Sequence, residues 1–528
     1  MYLFLVGPPG IGKSTLAPIL ARRLAARVLE IDEEVEKRSG QTNKDTIEKD
    51  GIERFRGLES IVLAQLRQTP AWTVVDTGGG TPIREANRRR MRDLGLIVGL
   101  RGSVERITAG IAATMPKRPQ QELAPADRAR HALSDPERVV GYADVDVSFD
   151  VDGLSGEQTA AAIETWLAVV RGIRVDVGLE RPYPIVLRSG VVDHLGPYVR
   201  ALGWSGRVAV VTERAVAANA ERATRSLERA GLEVRVLRVA SGEAAKSLDA
   251  VAGLWRSLAE AGVGRDGGIV AVGGGALGDA AGFAAATYVR GVPVIQVPTT
   301  LLAMVDASIG GKTAIDIEAG KNLVGAFHQP DAVFGDISAV ATLPRRQRAS
   351  GLAEVVKCAF LVDADSVAHV ERAIPGVLRG DAGPTLSSVT LAAEVKASVV
   401  AADPTEQGLR ALLNFGHTMG HAIEAGGGYR ITHGEAVALG MVYATALSEA
   451  LGLADERLRE TLERALAAAG LPRRGRIPAR AWPLLARDKK ARAGKVRWIL
   501  PRKIGRFSFV SDVPDRALRA AARVVEGR

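Results

Sequence analysis

Two unlike glycine-rich loops, in different halves of the chain, limit what this sequence can fold into. The first occupies residues 7–15 (GPPGIGKST), and the second occupies residues 272–279 (VGGGALGD). Each follows an apolar run that predicts a strand, and glycines at such a position let backbone N–H groups approach a phosphate closely. Each loop therefore predicts its own nucleotide site, and two unlike nucleotide sites in one chain are most simply explained by two fused enzymes.

Length and composition predict a multidomain globular protein. The 528 residues suggest about three domains of roughly 150 residues each. Hydrophobic residues make up 47% and charged residues 25% of the chain, as in ordinary soluble proteins. The single cysteine, Cys358, excludes a disulfide framework and predicts the reducing environment of the cytoplasm. No uninterrupted apolar run reaches the roughly 18 residues of a membrane span, so we expect no membrane partner.

The chain is basic, with a formal charge of +10. The basic residues are dispersed, mostly as arginines in Arg/Ala-rich helices such as ANRRRMRDL, and they are not interleaved with aromatic residues. This pattern favours solvated helix faces and sites for small anions over a nucleic-acid surface. We therefore expect small-molecule substrates and no nucleic-acid partner.

The order of apolar and helical segments predicts an α/β fold in three parts. Residues 1–168 alternate strands such as YLFLV and WTVVDT with helices, which predicts a P-loop domain with a parallel sheet covered by helices on both faces. A linker is predicted over residues 169–182. Residues 183–338 alternate again and predict a Rossmann-like domain. Strand patterns vanish after about residue 340, so residues 339–528 predict an all-helical domain.

The first loop satisfies the pattern G-x-x-x-x-G-K-S/T between a strand and a helix. In such loops the backbone around Gly10 and Gly12 cradles the phosphates of ATP, together with Thr15. The ammonium group of Lys13 reaches the β- and γ-phosphates, and the hydroxyl of Ser14 binds Mg²⁺. The pattern therefore predicts an ATP site.

The residues that follow resemble shikimate kinase over residues 1–168. The resemblance implies ATP-dependent phosphorylation of shikimate, with Mg²⁺ held through the first carboxylate of the pair Glu30 and Asp32, and the substrate hydroxyls held through the second, which is catalytic. It also implies that Arg56 binds the substrate carboxylate and that Gly79 and Gly80 pack against the substrate ring. Arg118 matches the arginine of the lid that closes over the nucleotide.

Three departures from the family pattern leave alternatives open. Asp135 stands where the family has a second substrate arginine, and Arg130 or Arg138 could take its place from a neighbouring turn. Glu30 replaces the usual Asp, and Asp76 ends an apolar strand, an arrangement typical of a magnesium ligand. We therefore hypothesise that Asp76 shares the metal role. One alternative is an active kinase, and the other is an active second enzyme joined to an impaired, retargeted or regulatory P-loop domain.

A metal site is predicted downstream of the second loop. Three of the seven histidines, His417, His421 and His433, fall within a short stretch, and Glu354 lies in the segment GLAEVVK. His417 and His421 are four residues apart, which places both on one helix face. Two histidines and a carboxylate with an open position form a common catalytic zinc set. Spacing alone does not decide which two histidines bind the metal.

From about residue 183 to residue 505, the chain resembles 3-dehydroquinate synthase. The resemblance implies that Glu354, His417 and His433 bind Zn²⁺, or another divalent metal such as Co²⁺, and that His421 lies near the substrate phosphate. It assigns NAD contacts to a first group of residues, namely Glu243, Lys246, Gly274, Gly275, Asp279, Thr299 and Thr300. A second group contacts substrate and cofactor, namely Asp306, Lys312, Lys321 and Asn322. The remaining substrate and catalytic residues that it implies are Lys357, Lys396, Arg410, Asn414 and one of the pair Lys489 and Lys490. Arg290 is a further cation that the sequence itself predicts to bind an anionic group of the substrate.

The same resemblance implies a reaction and an assembly. The substrate is 3-deoxy-D-arabino-heptulosonate 7-phosphate, and the products are 3-dehydroquinate and phosphate, with NAD⁺ regenerated in each turnover. A homodimer through this half of the chain is also implied. A zinc polyol dehydrogenase of related architecture is the alternative, but a polyol carries no anionic group that needs cations such as Lys312, Lys357, Lys396 and Arg410.

Overall fold

The computed structural model describes residues 2–67, 72–114, 123–145, 147–170, 173–175, 183–486 and 496–528. The chain divides into two compact units, Met1–Ala168 with Gly196–Ser205, and Val169–Leu195 with Gly206–Arg528. Three residues predicted to belong to the sites, Arg118, Lys489 and Lys490, lie outside the described residues.

The first unit contains a five-stranded, all-parallel sheet in the order β2-β3-β1-β4-β5. All five residues of β1 are buried, and Phe4 and Val6 pack with residues of α4 and α5 in one core. A central strand that is buried on both sides needs helices on both faces, as predicted. The strands are β1 (Tyr2–Val6), β2 (Arg27–Glu30), β3 (Thr73–Asp76), β4 (Gly95–Arg101) and β5 (Val147–Asp150). The helices are α1 (Lys13–Leu24), α2 (Ile31–Ser39), α3 (Asn43–Asp50), α4 (Ile52–Gln65), α5 (Glu85–Leu94), α6 (Val104–Thr114), α7 (Pro125–Ser134), α8 (Pro136–Ala143) and α9 (Gly156–Val170).

The second unit contains a seven-stranded sheet in the order β6-β7-β14-β11-β10-β8-β9. All neighbours are parallel except β6, which is antiparallel to β7. Strand β6 lies within the predicted linker. The strands are β6 (Ile173–Val175), β7 (Tyr183–Arg188), β8 (Val208–Thr212), β9 (Val234–Arg238), β10 (Gly268–Gly273), β11 (Val294–Pro298) and β14 (Ala332–Asp336), with the hairpin β12 (Lys312–Ile317) and β13 (Gly320–Phe327). The helices of this part are α11 (Ala217–Arg229), α12 (Leu248–Glu260) and α13 (Gly275–Thr287). Helix α10 (Leu195–Ala201) comes between β7 and β8 in the chain, but nearly all of it belongs to the segment Gly196–Ser205 of the first unit.

The helical part of the second unit follows β14. Helix α19 is buried over nearly its whole length, since it carries apolar residues on all sides and lies at the centre of the largest core. The helices are α14 (Ile337–Ala341), α15 (Arg345–Val362), α16 (Ala364–Arg379), α17 (Ala382–Ala402), α18 (His417–Gly426), α19 (His433–Ala450), α20 (Glu456–Ala468), α21 (Ala481–Ala486) and α22 (Asp515–Glu526). The part also contains an antiparallel hairpin, β15 (Trp498–Lys503) and β16 (Arg506–Val510). The prediction that residues 339–528 are all helical is therefore wrong at this hairpin. Its turn is short, and Gly505 there adopts a positive φ of 75°.

Within the described residues, α17 is the one helix long and apolar enough to cross a membrane. Length and composition alone are weak evidence, because a buried core helix passes the same test. Helix α17 also carries the buried Lys396, whose ammonium group is paired with Asp306 in the same unit.

Candidate active sites

The phosphate loop of the first unit connects β1 to α1. Gly10 and Gly12 have φ values of 82° and 106°, in the region that favours glycine. A Cβ atom on Gly10 would lie 2.7 Å from the carbonyl oxygen of Ile107, so a larger residue would collide with backbone there. The conformation therefore favours glycine at both positions, and close approach excludes a larger residue at Gly10.

The cation of this loop is held inside it. Lys13 is buried, and its Nζ donates to the carbonyl oxygens of Gly7 at 2.9 Å and Pro8 at 3.3 Å. Ser14 and Thr15 are exposed in the first turn of α1, where backbone N–H groups have no partner within the helix. The loop and the helix N-terminus together form a site suited to the phosphates of a nucleotide.

Carboxylates gather at the same edge of the sheet. Strand register pairs Glu30 with Asp76, and Asp76 with Leu5 of the strand that leads into the phosphate loop. Asp32 follows in the first turn of α2. Burial, together with the charges of Glu33 and Asp32, raises the pKa of Glu30. Oxygen ligands of this kind suit Mg²⁺, and both predicted metal carboxylates lie at this edge.

The glycine segment 78–80 lies against the predicted catalytic carboxylate. A Cβ atom on Gly78 would lie 2.7 Å from Asp32 Oδ1 and 2.7 Å from Glu59 Oε1, and a Cβ atom on Gly79 would lie 3.0 Å from the side chain of Pro9. The structure thus brings Asp32, Gly79 and the phosphate loop together. Gly80 is adjacent, with its Cβ position 3.7 Å from Glu59 Oε2.

Glu59 is a site residue that the sequence interpretation missed. Its side chain is only 1% exposed, and burial raises its pKa to about 7 despite a hydrogen bond from Thr81 and the nearby charges of Arg56 and Arg84. Its Oε2 atom is buried without a hydrogen-bond partner in the described structure. Glu59 follows Arg56 by three residues on α4, so the helical spacing of the two charges was the available signal.

The structure distinguishes between Arg130 and Arg138, the two arginines that could replace the missing substrate arginine. Asp135 caps α8, where its carboxylate accepts two backbone N–H groups. Nη1 of Arg138 lies 3.4 Å from the carbonyl oxygen of Gly79 and 3.3 Å from the hydroxyl of Tyr142, which itself donates to Gly79 O at 2.7 Å. Arg130 is exposed on α7 and pairs with the aspartate three residues before it. Arg138 is therefore the arginine beside the glycine segment.

The second glycine loop lies between β10 and α13. The backbone N–H of Thr299 donates to the carbonyl oxygen of Gly273 at 2.9 Å, and a Cβ atom on Gly274 would lie 3.4 Å from Thr300 Cγ2. Gly275 begins α13. Strand β10 has β8 on one side and β11 on the other, and the crevice at the carboxyl ends of such strands is the usual dinucleotide site of an open α/β sheet.

Five predicted cofactor residues form one polar cluster near this loop. Lys246 Nζ lies 2.7 Å from Asp279 Oδ2 and also donates to the side chain of Asn322. Lys321 Nζ lies 3.1 Å from Glu243 Oε1. Burial raises the pKa of Asp279 to about 6, although Lys246 opposes the shift. The sequence separates these residues widely, and the fold brings them together.

The candidate metal centre joins α15, α18 and α19. The ligand atoms of Glu354, His417 and His433 all lie within 4.8 Å of one another. Nε2 of each histidine faces Glu354 Oε1, at 3.4 Å for His417 and 3.5 Å for His433. Nδ1 of His417 lies 3.2 Å from the carbonyl oxygen of Phe415, so the backbone fixes this ring and leaves Nε2 to a metal.

The donor set fits a divalent metal ion. Both carboxylate oxygens of Glu354 are buried, and neither has a hydrogen bond of good geometry in the described structure. Burial alone would raise the pKa of Glu354, but the charges of Lys357 and His433 lower it to about 2, so the carboxylate is ionised. His421 lies close, its ring centre 5.1 Å from that of His417, but it is not part of the three-residue ligand group.

Cations surround this centre. Lys357 lies against Glu354, and Lys396 lies against Asp306, with its Nζ 2.6 Å from the Asp306 carbonyl oxygen. Burial would raise the pKa of Asp306, but Lys396 and Lys357 lower it to about 2. Burial lowers the pKa of Lys396. Buried charges of this kind need partners, and a bound anion supplies further ones.

A further group of substrate residues meets at Glu406, which the sequence interpretation missed. Lys312 pairs with Glu406, and Asn414 Nδ2 donates to it at 2.7 Å. Arg410 is buried, and its Nη2 donates to Gly310 O at 3.0 Å. Glu406 lies in a loop without a regular pattern, so nothing in the local sequence pointed to it.

Within the described structure, Arg290 makes no hydrogen bond or ion pair with the other predicted substrate residues. It is exposed just beyond the end of α13, whereas Gly274 precedes the start of that helix. A helix of this length separates its two ends by roughly 20 Å. Val289 and Arg290 both have positive φ values, 50° and 63°, which is a strained conformation for such side chains.

The two sites define a chain that joins a P-loop kinase to an α/β enzyme with a dinucleotide crevice and a candidate metal centre. The shikimate kinase family model matches residues 9–168. The models for the N-terminal and C-terminal parts of 3-dehydroquinate synthase match residues 236–350 and 351–491. The 3-dehydroquinate synthase of Symbiobacterium thermophilum is 46% identical over 352 residues, which cover 65% of this chain and 98% of that protein. The chain therefore belongs to the 3-dehydroquinate synthase family, and it is a shikimate-pathway fusion of that enzyme with shikimate kinase.

Two solved structures resemble the synthase part. A 2-deoxy-scyllo-inosose synthase complexed with carbaglucose-6-phosphate, NAD⁺ and Co²⁺ has a TM-score of 0.61 and 26% identity, covering 66% of this chain and 98% of its own. The 2-epi-5-epi-valiolone synthase of Streptomyces hygroscopicus, with NAD⁺ and Zn²⁺ bound, has a TM-score of 0.61 and 29% identity, covering 66% of this chain and 97% of its own. The polyol dehydrogenase alternative is contradicted by the family assignment.

Proposed function

We propose that the second unit converts 3-deoxy-D-arabino-heptulosonate 7-phosphate to 3-dehydroquinate and phosphate, using NAD⁺ and a divalent metal, Zn²⁺ or Co²⁺. The observation that carries the proposal is the convergence of Glu354, His417 and His433 within 4.8 Å, beside the buried cations Lys357 and Lys396. Support also comes from the two synthases of similar structure, which bind NAD⁺ with Co²⁺ or Zn²⁺. When bound, these groups supply a reversible hydride acceptor and a Lewis acid that acidifies a hydroxyl.

The residues of the chain bind the metal, bind the anionic groups of the substrate and exchange a proton with it. The ionised Glu354 and the Nε2 atoms of His417 and His433, which lie 3.4 and 3.5 Å from its Oε1, would bind the metal. Lys357 and Lys396 neutralise the anionic groups of the substrate, and the low pKa of Asp306 keeps its carboxylate ionised as a fixed partner for Lys396. His421 is close enough to the metal ligands to exchange a proton with a phosphate held there.

Glu406 holds the substrate residues Lys312 and Asn414 in one place, and Arg410 is fixed by backbone carbonyls. Lys312, Asn414 and Arg410 are thus held in place before an anion binds, which reduces the conformational entropy that is lost on binding. On the cofactor side, the backbone of Gly274 and Gly275 at the N-terminus of α13 would hold the pyrophosphate of the dinucleotide. Lys246, Asp279 and Asn322 line the same crevice.

The test is turnover by the purified full-length chain with and without NAD⁺ and after removal of metal. His417→Ala and His433→Ala are expected to abolish both metal binding and turnover. His421→Ala is expected to retain the metal and lose most of the turnover. Equal metal loss in all three variants would contradict the ligand assignment.

We propose in addition that the first unit phosphorylates shikimate with ATP and Mg²⁺. Support comes from Asp32, the glycine segment and the phosphate loop, which lie within contact distance. In this proposal Asp32 orients the substrate hydroxyl and accepts its proton, and Arg56 together with Arg138 binds the substrate carboxylate. Two guanidinium groups match a carboxylate in charge and geometry.

The alternative, an impaired or regulatory P-loop domain, makes a different prediction. Turnover of shikimate by the full-length chain, under conditions where the synthase is active, supports the kinase, and the absence of ADP release contradicts it. The magnesium ligands are tested in the same assay. If Asp76 shares the metal, Asp76→Ala loses magnesium-dependent turnover, whereas loss only in Glu30→Ala would assign the metal to Glu30.

A homodimer through the second unit is part of the proposal. The hairpin β12–β13 leaves Leu323, Val324 and Phe327 between 40% and 52% exposed, and β13 pairs only with β12 in the described structure. An exposed apolar edge strand favours pairing with a second copy. A second copy would also explain how the exposed Arg290 reaches a substrate. A cytoplasmic location belongs to the same proposal, supported by the single, buried cysteine.

Mixed dimers test the position of Arg290. Arg290→Ala and Lys357→Ala are each expected to be inactive alone. Co-expression of the two variants restores about a quarter of wild-type synthase activity if Arg290 acts across a two-fold interface, because half of the dimers are mixed and each mixed dimer has one intact site. No restoration would place Arg290 in its own subunit's site or outside any site.

A further inference from the structure

A pocket of about 640 Å³ opens on the helical part of the second unit, and none of the predicted site residues lines it. Its walls come from the N-terminus of α15, the end of α18, the start of α19 and the loop 470–478. Pockets for small molecules usually measure roughly 300–1,000 Å³. This pocket is therefore large enough for a metabolite.

The charges around the pocket are unbalanced. Four arginines line it, Arg346, Arg430, Arg474 and Arg476, together with a single carboxylate, that of Glu435, among the described residues. Four guanidinium groups around one concave surface attract anions, since they form a local positive potential.

Existing partners account for only two of these arginines. Arg346 makes a two-pronged ion pair with Glu435, at 2.9 and 2.7 Å. Arg474 Nη1 lies 2.8 Å from Glu463. Arg430 and Arg476 are exposed, and neither side chain has a hydrogen bond or an ion pair within the described part of the chain. The positive charges of Arg430 and Arg476 at the pocket are thus not neutralised by any carboxylate among the described residues.

The inner wall of the pocket is apolar. Ile431, Pro472 and Pro478 line it and are partly exposed, whereas Ile423 and Leu471 close its floor from the core beneath. An inorganic ion would use only the arginines and would leave this wall in water. A ligand with an apolar body and an acidic group would use both.

We propose that this pocket binds a small organic anion, an apolar ring or chain that carries a phosphate or carboxylate group. The acidic group pairs with Arg430 and Arg476, because a guanidinium fork matches the geometry of both kinds of oxyanion. The apolar body lies against the partly exposed Ile431 and Pro472. The site is separate from the residues assigned to the synthase and the kinase, so it does not depend on either assignment.

Titration calorimetry with phenyl phosphate tests the proposal on the full-length protein, with NAD⁺, Zn²⁺ and ATP present to occupy the other sites. The double variant Arg430→Gln/Arg476→Gln is expected to weaken one class of binding site about tenfold or more. The matched control Arg457→Gln/Arg516→Gln removes two exposed arginines elsewhere in the same unit and is expected to bind as the wild type does. Identical isotherms for the wild type and both variants would overturn the proposal.

Two further probes test the chemistry of the ligand. Inorganic phosphate is expected to bind this site about tenfold or more weakly than phenyl phosphate, because it lacks the apolar contact. Benzyl alcohol, which has the ring without the charge, is expected not to bind. Equal affinity for phosphate and phenyl phosphate would overturn the assignment to an organic ligand, and equal affinity for benzyl alcohol would overturn the role of the arginines.

Unchanged synthase turnover and thermal unfolding verify that the variants are folded. If the double variant does not fold, the single variant Arg476→Gln carries the same test with Arg457→Gln as its control.

Discussion

Glu424 lies behind His433 in the candidate metal centre, with Oε2 of the carboxylate 3.4 Å from Nδ1 of the imidazole. Lys321 Nζ lies 4.0 Å from the other carboxylate oxygen and 4.0 Å from the centre of the Tyr429 ring. A carboxylate in this position fixes the orientation of the ring and the nitrogen that carries the proton, so that the other nitrogen faces the metal. The connection also reaches the cofactor cluster, since Lys321 pairs with Glu243.

Glu424→Gln is expected to weaken metal binding about 10- to 100-fold without removing a ligand, because Gln accepts a hydrogen bond but lacks the charge that strengthens it. Competition with a chromophoric chelator measures the affinity independently of turnover. Glu460→Gln changes an exposed glutamate of α20 and serves as the control. Equal affinities of Glu424→Gln and the wild type would show that Glu424 does not position His433.

Arg138→Gln is expected to raise the KM for shikimate about tenfold or more, since it removes a charge-assisted hydrogen bond to the substrate carboxylate. The KM for ATP is expected to stay within about twofold, because the arginine lies beside Gly79 and not in the phosphate loop. Arg130→Gln is the matched control. Steady-state kinetics of ADP release measures both constants.

The kinetics distinguish a wrong role for Arg138 from the absence of kinase activity. An active wild type with an unchanged KM in Arg138→Gln contradicts the role of Arg138 and leaves the kinase intact. An inactive wild type contradicts the kinase itself.

Glu59 makes the stability of the kinase unit depend on pH. Its pKa rises from 4.5 to about 7 on folding, so the folded state binds the proton more tightly. Protonated Glu59 is therefore expected to stabilise the folded state by about 3 kcal/mol relative to the ionised residue. This stabilisation is complete below about pH 4.5 and is lost as the pH rises through about 7. Glu59→Gln is expected to remove this dependence.

Unfolding of the full-length chain between pH 4.5 and pH 8 measures the effect, with the transition of the kinase unit identified by its shift on addition of ATP and Mg²⁺. Glu105→Gln, at an exposed position of α6, is the control. A transition of Glu59→Gln that still weakens through pH 7 as the wild type does would assign the dependence to another group.

Tyr183 supports Arg410 through the backbone. The hydroxyl oxygen of the buried Tyr183 accepts the N–H of Gly310 at 2.9 Å, and the carbonyl oxygen of Gly310 accepts from Arg410. Tyr183→Phe leaves a buried N–H unpaired, which is expected to cost about 1–3 kcal/mol and to raise the KM of the synthase.

Tyr443→Phe is a matched control, because its buried hydroxyl donates to the carbonyl oxygen of Leu518, away from the substrate residues. It is expected to lose stability without a change in KM. A Tyr183→Phe enzyme with a normal KM would show that Gly310 holds Arg410 without the tyrosine. Denaturant unfolding and steady-state kinetics provide the two measurements.

Local patterns predicted the fold class and the two glycine loops. The segment GPPGIGKST lies between a strand and a helix, and Cβ atoms on Gly7 and Gly10 would collide with the backbone of other segments, so the sequence there admits few alternatives. The hairpin at 498–510 was missed because its two strands are short and depend on each other for pairing. The histidines show the limit of spacing, since the four-residue spacing of His417 and His421 suggested a shared role on one helix face. The group that forms includes His433 and Glu354, from two other helices.

The sequence by itself determined that this chain has a P-loop part and a Rossmann-like part followed by a mainly helical region, because strands, helices and phosphate loops are specified by neighbouring residues. Only the tertiary structure decided that Arg138 and not Arg130 lies at Gly79. It also decided that Glu59 and Asp32 both lie beside Gly78, and that Glu424 lies behind His433. These relationships join residues on different helices and loops. Packing of those segments sets them, and the packing leaves no periodic mark on any one of them.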